Sequence, residues 1–455
     1  MSAVVEVAAR GSRSLPLVSF AQAQRTLAWH DGRAVSVAQF LADVAAVAAA
    51  LPAVGDAINL CEDRYAFLVA FCAVISRGRT NLLPPSRAAH AVDEALDAYP
   101  GSYALSDVAL LPLPRRHLQM PALGCNGESD TVPEVDADHI AVIGFTSGSS
   151  GQPKPNPKTW SAFHASNARN AAALAHTLGL ADGALAHVVA TVPPQHMYGI
   201  ELSILLPLLG PFAVHGGRPL FPADVAAALA QIPEPRVLVT TPVHLRALLR
   251  DPSPLPTLGA ITSATAPLTH ELAAEAEARY GAPVLELFGS TETCVIAQRR
   301  SARETDWQLY PDIRLRPQPD GTVVDAPYFS HAVTLQDVVE LLPGRAFRLC
   351  GRHADLVEIA GKRASLADLT RRLLDLPGVQ DAIVLQLDEA DSMGVRRIAA
   401  LVVAPDRSEA ELLQGLRSAI DPAFLPRPLR KVDALPRNET GKLPRMQLLA
   451  ALSRA

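Results

Sequence analysis

The chain has 455 residues, 49% hydrophobic and 19% charged, with a formal net charge of −5. That describes a globular chain of more than one domain, long enough to bury large cores. The negative balance argues against a nucleic-acid or anionic-membrane binder as the main role. The cysteines Cys61, Cys72, Cys125, Cys294 and Cys350 are odd in number, widely spaced and without a Cys-x-x-Cys. They point to neither a disulfide framework nor a zinc site, and read as small buried hydrophobes in a reducing compartment. No charged-then-apolar signal segment opens the chain. The longest apolar run, near Leu202–Val214, is broken by Pro207, Gly210 and Pro211 and is too short to span a bilayer. The expectation is a cytoplasmic protein with no membrane span.

From about 36 to 51 the larger apolar residues Val37, Phe40, Leu41, Val44, Val47 and Leu51 recur at helical spacing. Asp56–Leu60 reads as a strand, Tyr65–Arg77 as a buried helix ending near Gly78, and Asn81–Leu83 as a strand. His139–Gly144 and His187–Val192 also read as strands. Strand Val237–Thr241, helix Pro242–Leu249, strand Ala260–Ser263, helix His270–Tyr280 and strand Val284–Phe288 continue the alternation. Such alternation to about residue 290 predicts an α/β fold of parallel-rich sheets covered by helices. Residues 301–345 lose helical periodicity and read as a small β subdomain. An α+β tail of about 100 residues follows, itself domain-sized. Its elements are strand Leu356–Ile359, helix Leu366–Leu376, strands Ala382–Leu387 and Ile398–Val403, and helix Glu409–Ile420. A proline-rich return reaches Arg437–Arg445.

The strand at 139–144 empties into Phe145-Thr146-Ser147-Gly148-Ser149-Ser150-Gly151-Gln152-Pro153-Lys154. Glycines admit a close backbone, successive N–H groups form an anion nest, and hydroxyls and an ammonium add donors. The run is either a polyphosphate cradle or a flexible Ser/Gly loop. It is not a Walker loop, because Gly151 is followed by Gln-Pro-Lys-Pro, and no Gly-x-Ser-x-Gly elbow supports a serine hydrolase. Its order resembles the phosphate loop of the adenylate-forming enzymes: acyl-CoA synthetases, aryl-CoA ligases, adenylation domains and luciferases.

Further segments resemble that superfamily in its order. Glu286-Leu287-Phe288-Gly289-Ser290-Thr291-Glu292 lies at a strand end, where α/β proteins place ligands. The resemblance implies that Phe288 packs on adenine with Gly289 beside it, Thr291 bonds the α-phosphate and Glu292 binds Mg²⁺. A hard carboxylate suits that ion. Pro193-Pro194-Gln195-His196-Met197-Tyr198-Gly199 is similar to the motif that gates the carboxylate pocket. Ser263-Ala264-Thr265-Ala266-Pro267-Leu268 is similar to the small-residue segment lining the acyl and adenine pockets, although a plain strand-to-helix turn reads the same way. The implied acid pocket takes His196, Tyr198, Gly199, Thr241, Ala264, Thr265, Ala266 and Ser290. Asp337, after Leu335-Gln336, matches the ribose-binding Asp, and Arg352 in Gly351-Arg352-His353-Ala354-Asp355 the second ribose contact. Lys442, in Leu435–Arg445, matches the catalytic lysine, and Gly361 the loop presented to the thiol.

The resemblance therefore implies ATP and Mg²⁺ as cofactors and CoA or phosphopantetheine as acceptor. Residues 1–352 would hold the ATP and acid site, and 353–455 a mobile domain carrying Lys442. A carboxylate would attack the α-phosphate of MgATP, with Lys442 and Glu292 offsetting charge and the 146–154 run holding the leaving phosphates. The C-terminal domain would then rotate, and a thiol would displace AMP. Ala354 stands where the superfamily usually has Asp or Lys as a hinge. Pro155-Asn156-Pro157-Lys158 makes a stiffer flank than usual. The chain is also shorter than typical free-standing members, which favours a small acid, aryl such as hydroxybenzoate or short acyl, and a carrier-protein acceptor over CoA. An adenylate-forming enzyme with a non-thiol acceptor, or a degenerate nucleotide- or acyl-binding protein, are the alternatives.

Overall fold

The computed structural model describes residues 13–84, 86–124, 127–147, 153–318, 321–329, 331–352, 356–359, 362–390, 396–438 and 443–454. Gly148, Ser149, Ser150, Gly151, Ala354, Gly361 and Lys442 lie outside them, and Thr146, Ser147 and Arg352 are described by backbone alone. Contacts divide the chain into two compact units, residues 1–296 with 300–303, and 297–299 with 304–455. The expected boundary at 352/353 falls within the second.

The first unit carries the predicted α/β alternation. One sheet runs, in lateral order, Pro153–Thr159, Ile140–Ser147, Asn81–Leu83, Ala57–Asn59, Tyr103–Ser106, His117–Gln119. All its pairings are parallel except the edge hairpin of the first two strands. In a second sheet Val284–Ser290, Ala260–Ser263, Arg236–Thr240, Ala186–Ala190, Phe212–His215 and Thr26–His30 are parallel neighbours in that order. Strands such as Ala186–Ala190 are buried along their whole length, which is why apolar residues dominate them, with His187 the polar exception. Val189, Leu238 and Ile261 from the strands pack with Leu245, Leu272 and Leu229 from the covering helices. Each such side chain contributes roughly 1.5–3 kcal/mol relative to exposure.

Helix Arg64–Ser76 is buried on every side from Arg64 to Ile75, consistent with its lack of a polar face. Helix Trp160–Leu178 starts at the Thr159 cap and stops at Gly179, which takes the left-handed conformation. The apolar run after His196 is helical: Met197–Ile200, a π-turn over Glu201–Leu205, then Leu206–Leu209, all buried.

The second unit contains the β-rich region and the α+β tail. Arg314–Gln318, Gly321–Asp325 and Val333–Leu335 form a three-stranded antiparallel sheet. Asp381–Ala390, Arg396–Val403 and Leu429–Lys431 form a mixed three-stranded sheet, its first pair antiparallel and its second parallel, which packs Val384, Ile398 and Val402 with Leu369 and Leu373 of helix Leu366–Leu374 and Leu412 and Leu416 of helix Glu409–Ala419. Among the described residues Cys61, Cys72 and Cys294 are buried free thiols, whereas Cys350 is exposed. No described helix is long and apolar enough to cross a membrane.

Candidate active site

The strand expected to end at Gly144 continues to Ser147, and the chain returns as Pro153–Thr159. Ser147 and Pro153, which flank the Ser/Gly run, are thus paired across two antiparallel strands. Pro153, Pro155 and Pro157 pair with Ser147, Phe145 and Ile143. Proline has no N–H to give a ladder, and a period of two turns all three nitrogens the same way. On an edge strand that way is outward, which leaves Lys154, Asn156 and Lys158 for the ladder. Lys154 is exposed and Lys158 buried.

Three predicted segments meet beside this strand. A Cβ added at Gly144 would lie 3.0 Å from the Thr291 methyl and 3.6 Å from Met197 Cε. The His196 segment and the Thr291-Glu292 turn therefore both lie against the phosphate-run strand at Gly144. At Gly199 a Cβ would lie 2.0 Å from the Pro193 carbonyl oxygen, so glycine alone lets the helix start fold back on Pro193. The Gln195 side chain donates to the Cys61 carbonyl at 2.8 Å, and the Ile200 N–H to the His196 carbonyl at 2.7 Å. His196 is left half-exposed, while Tyr198 is buried with its hydroxyl 2.9 Å from Thr262 Oγ1. Burial pushes the Tyr198 phenol up, so it stays neutral.

Thr241 caps helix Pro242–Arg250, accepting the His244 N–H at 3.3 Å. Its hydroxyl is thereby engaged as a cap. Ala264 is buried, Ala266 half-buried and Thr265 exposed. Thr265 has φ +78°, which costs a β-branched residue roughly 1–2 kcal/mol and marks a bent backbone at the strand's end.

Phe288, Ser290, Thr291 and Glu292 are half-buried along one turn, with Gly289 exposed. Ser290 Oγ accepts from the N–H groups of Glu292 and Thr293 at 3.2 and 3.3 Å, and the Ser290 N–H donates to Thr293 Oγ1 at 3.2 Å. At Gly289 a Cβ would lie 2.1 Å from the Cys294 carbonyl oxygen. Among the described residues no group of three or more His, Cys, Asp or Glu could hold a metal ion. A single carboxylate such as Glu292 fits Mg²⁺, which takes most of its ligands from phosphate and water.

In the second unit Asp337 and Arg352 stand opposite each other on antiparallel strands Asp337–Leu341 and Ala346–Arg352. The Thr322 hydroxyl donates to the Asp337 carbonyl at 2.6 Å, and Gly351 has φ +112°. Clefts of about 370 and 360 Å³ open beside Glu277 and Arg300, and beside Trp29, His30 and His215. Neither is lined by a predicted site residue.

Three residues not singled out from the sequence support the first-unit cluster. Arg64, fully buried, donates to Ser203 Oγ at 2.5 Å and to the Ala190 and Val192 carbonyls at 2.8 Å, bracing the strand that leads to Pro193. Glu201 and Lys158 are also buried. Glu201 is the sole Asp, Glu, Lys or Arg between His196 and Val214, a signal available in the sequence.

The family described as AMP-binding enzyme matches residues 18–326. The chain belongs to that family. Among relatives, this AMP-binding enzyme is 30% identical over 318 residues to a 4-coumarate–CoA ligase of Halorhodospira halophila, covering 68% of this chain and 76% of that one. It is 28% identical over 373 residues to a sulfoacetate–CoA ligase of Cupriavidus necator, covering 72% and 71%. Among solved structures, O-succinylbenzoate coenzyme A synthetase from Bacillus subtilis, in complex with ATP and magnesium ion, has a TM-score of 0.79. That match is 19% identical and covers 96% of this chain and 100% of the other. ATP-bound MatB from Rhodopseudomonas palustris gives 0.77 at 20% identity, covering 94% and 96%. These structures establish the adenylate-forming fold.

Proposed function

We propose that this AMP-binding enzyme is an AMP-forming acid–thiol ligase. A carboxylate oxygen attacks the α-phosphorus of ATP, the bond to pyrophosphate breaks, and an acyl-adenylate forms. A thiol then attacks the acyl carbon, loses its proton, and AMP leaves. The observation carrying this reading is the contact of Gly144 with Thr291 and Met197, which gathers the phosphate run, the acid-gating segment and the phosphate-contacting turn. The relatives' names, CoA ligases acting on 4-coumarate and sulfoacetate, support CoA as the acceptor.

Residues 146–151 and Lys154 grip the β- and γ-phosphates, and Thr291 contacts the α-phosphate. Bound at Glu292, Mg²⁺ supplies charge to the phosphate oxygens. Phe288 and Gly289 pack on adenine, while Asp337 accepts hydrogen bonds from the ribose and Arg352 donates to it. His196, Tyr198, Gly199, Thr241, Ala264, Thr265, Ala266 and Ser290 form the acid pocket. From residues 353–455, Lys442 serves the first step and Gly361 the second. The mixture of ring and small polar side chains suits a small aryl acid, and a carrier protein remains the second candidate acceptor.

A pyrophosphate-release assay over a panel of small aryl and short acyl acids, with CoA or with a phosphopantetheinylated carrier protein, tests this. Acid-dependent pyrophosphate with thioester formed only from one thiol fixes the acceptor. Acyl-adenylate accumulating with both thiols would favour a non-thiol acceptor. No pyrophosphate with any acid would favour a binding protein without catalysis.

A further inference from the structure

Two buried ionisable side chains hold the backbone of the Thr291-Glu292 turn. Glu201 is 1% exposed and lies in the π-turn, a distortion that recurs at functional sites. A buried carboxylate is costly unless hydrogen bonded. Glu201 takes Ser166 Oγ at 2.5 Å, Asn170 Nδ2 at 3.2 Å and the Val295 N–H on both oxygens at 3.1 and 3.0 Å. Burial raises its carboxyl, opposed by these bonds and by the charge of Lys158. Lys158 is 8% exposed, and its ammonium donates to the Glu292 carbonyl. Glu292 and Val295 bound the tightest part of the hairpin, where Cys294 has φ +60°.

The turn does not need these charges merely to close. Ser290 and Thr293 already satisfy it from within. What the charges add is placement. Lys158 belongs to the strand that leads out of the Ser/Gly run, and Glu201 follows the His196 segment within the same helical stretch. Each therefore ties one wall of the candidate site to the turn's backbone, Lys158 at the Glu292 carbonyl and Glu201 at the Val295 N–H. We propose that Lys158 and Glu201 are positioning residues that hold the Thr291-Glu292 turn in register with the phosphate run for adenylate formation. The catalytic part of this inference rests on the ligase reading above.

The test compares Lys158→Met, Lys158→Arg and Glu201→Gln with the unaltered full chain. Pyrophosphate release gives kcat and KM, and backbone hydrogen exchange is read at residues 291–295. Groups that orient a metal's ligands typically cost roughly 10- to 100-fold when removed. Lys158→Met should lower kcat by about that factor, with the KM for acid little changed and more Mg²⁺ needed for half-maximal rate. Exchange at 291–295 should quicken while the rest of the first unit keeps its protection, and Lys158→Arg should restore most of the rate. Glu201→Gln keeps the acceptor for Val295 and should lose less than Lys158→Met. Unchanged exchange at 291–295 in Lys158→Met would overturn the proposal. So would a kcat loss that tracks uniform loss of protection through the unit. If the unaltered chain releases no pyrophosphate with any acid, the ligase reading fails, and the exchange comparison still decides whether this hold on the turn exists.

Discussion

Replacing Gly289 with alanine would test how tightly the turn's geometry is set. The added Cβ would lie 2.1 Å from the Cys294 carbonyl oxygen and 2.8 Å from both the Cys294 carbonyl carbon and Val295 Cα. All three atoms are backbone, so no side chain can swing aside. Reaching a tolerable separation of about 3 Å requires the two arms of the hairpin to part by about 1 Å. The Val295 N–H is held by Glu201, so the displacement falls on the 290–293 turn or breaks those bonds. Gly289→Ala should therefore lose about 2–4 kcal/mol of stability in urea unfolding. It should also lose about 100-fold in acid-dependent pyrophosphate release, because a 1 Å misplacement costs about that much. Gly281→Ala is the control. Gly281 has φ +66° with nothing within 4 Å of its Cβ, so it should cost about 1 kcal/mol and leave the rate unchanged. Stability within about 0.5 kcal/mol of the parent and a rate within about twofold for Gly289→Ala would refute the reasoning.

His187 should impose a pH dependence on stability. It is buried, its Nδ1 accepts the Trp29 indole N–H at 3.0 Å, and burial lowers its pKa from 6.5 to about 4. The folded value lies below the unfolded one, so the unfolded chain takes up the extra proton between them. The contribution is intact above about pH 6.5 and is lost as pH falls toward 4, amounting to about 3 kcal/mol at most. His187→Gln can still accept from Trp29, and should flatten this part of the urea-midpoint profile; an unchanged slope would count against it. Lys442→Ala should abolish adenylation far more than thioester formation from supplied acyl-adenylate, measured as separate half-reactions, and equal loss of both would contradict separate roles for Lys442 and Gly361. Arg352→Ala and Asp337→Ala should each raise the KM for ATP by roughly 10-fold with little change in the KM for acid, since each removes a hydrogen bond to a bound hydroxyl.

Much of the fold was legible because its signals are local. Periodicity marks Val37–Ala50, a continuous apolar run of helical length marks Arg64–Ser76, and short apolar-rich runs mark the buried parallel strands. The candidate site was legible as motifs, because residues such as Phe288-Gly289 and Thr291-Glu292 are contiguous. Its supports were not, because Lys158, Glu201 and Arg64 act through backbone groups 94 to 134 residues away, and no spacing rule reaches that far. The prolines after the phosphate run show how context changes a local reading. As a sequence, Pro153, Pro155 and Pro157 look like a stiffened loop. Paired with Ser147, Phe145 and Ile143 at the edge of a sheet, they have their nitrogens where no donor is required. Their spacing of two is the strand's own period, so the same residues that follow the Ser/Gly run block further pairing at the exposed edge. They also fix the alternation that places Lys158, rather than Pro157 or Thr159, under the Glu292 carbonyl. A one-residue slip of that strand would turn Lys158 outward and take its ammonium off the turn. The stiffness of the flank and the placement of the lysine are therefore one structural requirement.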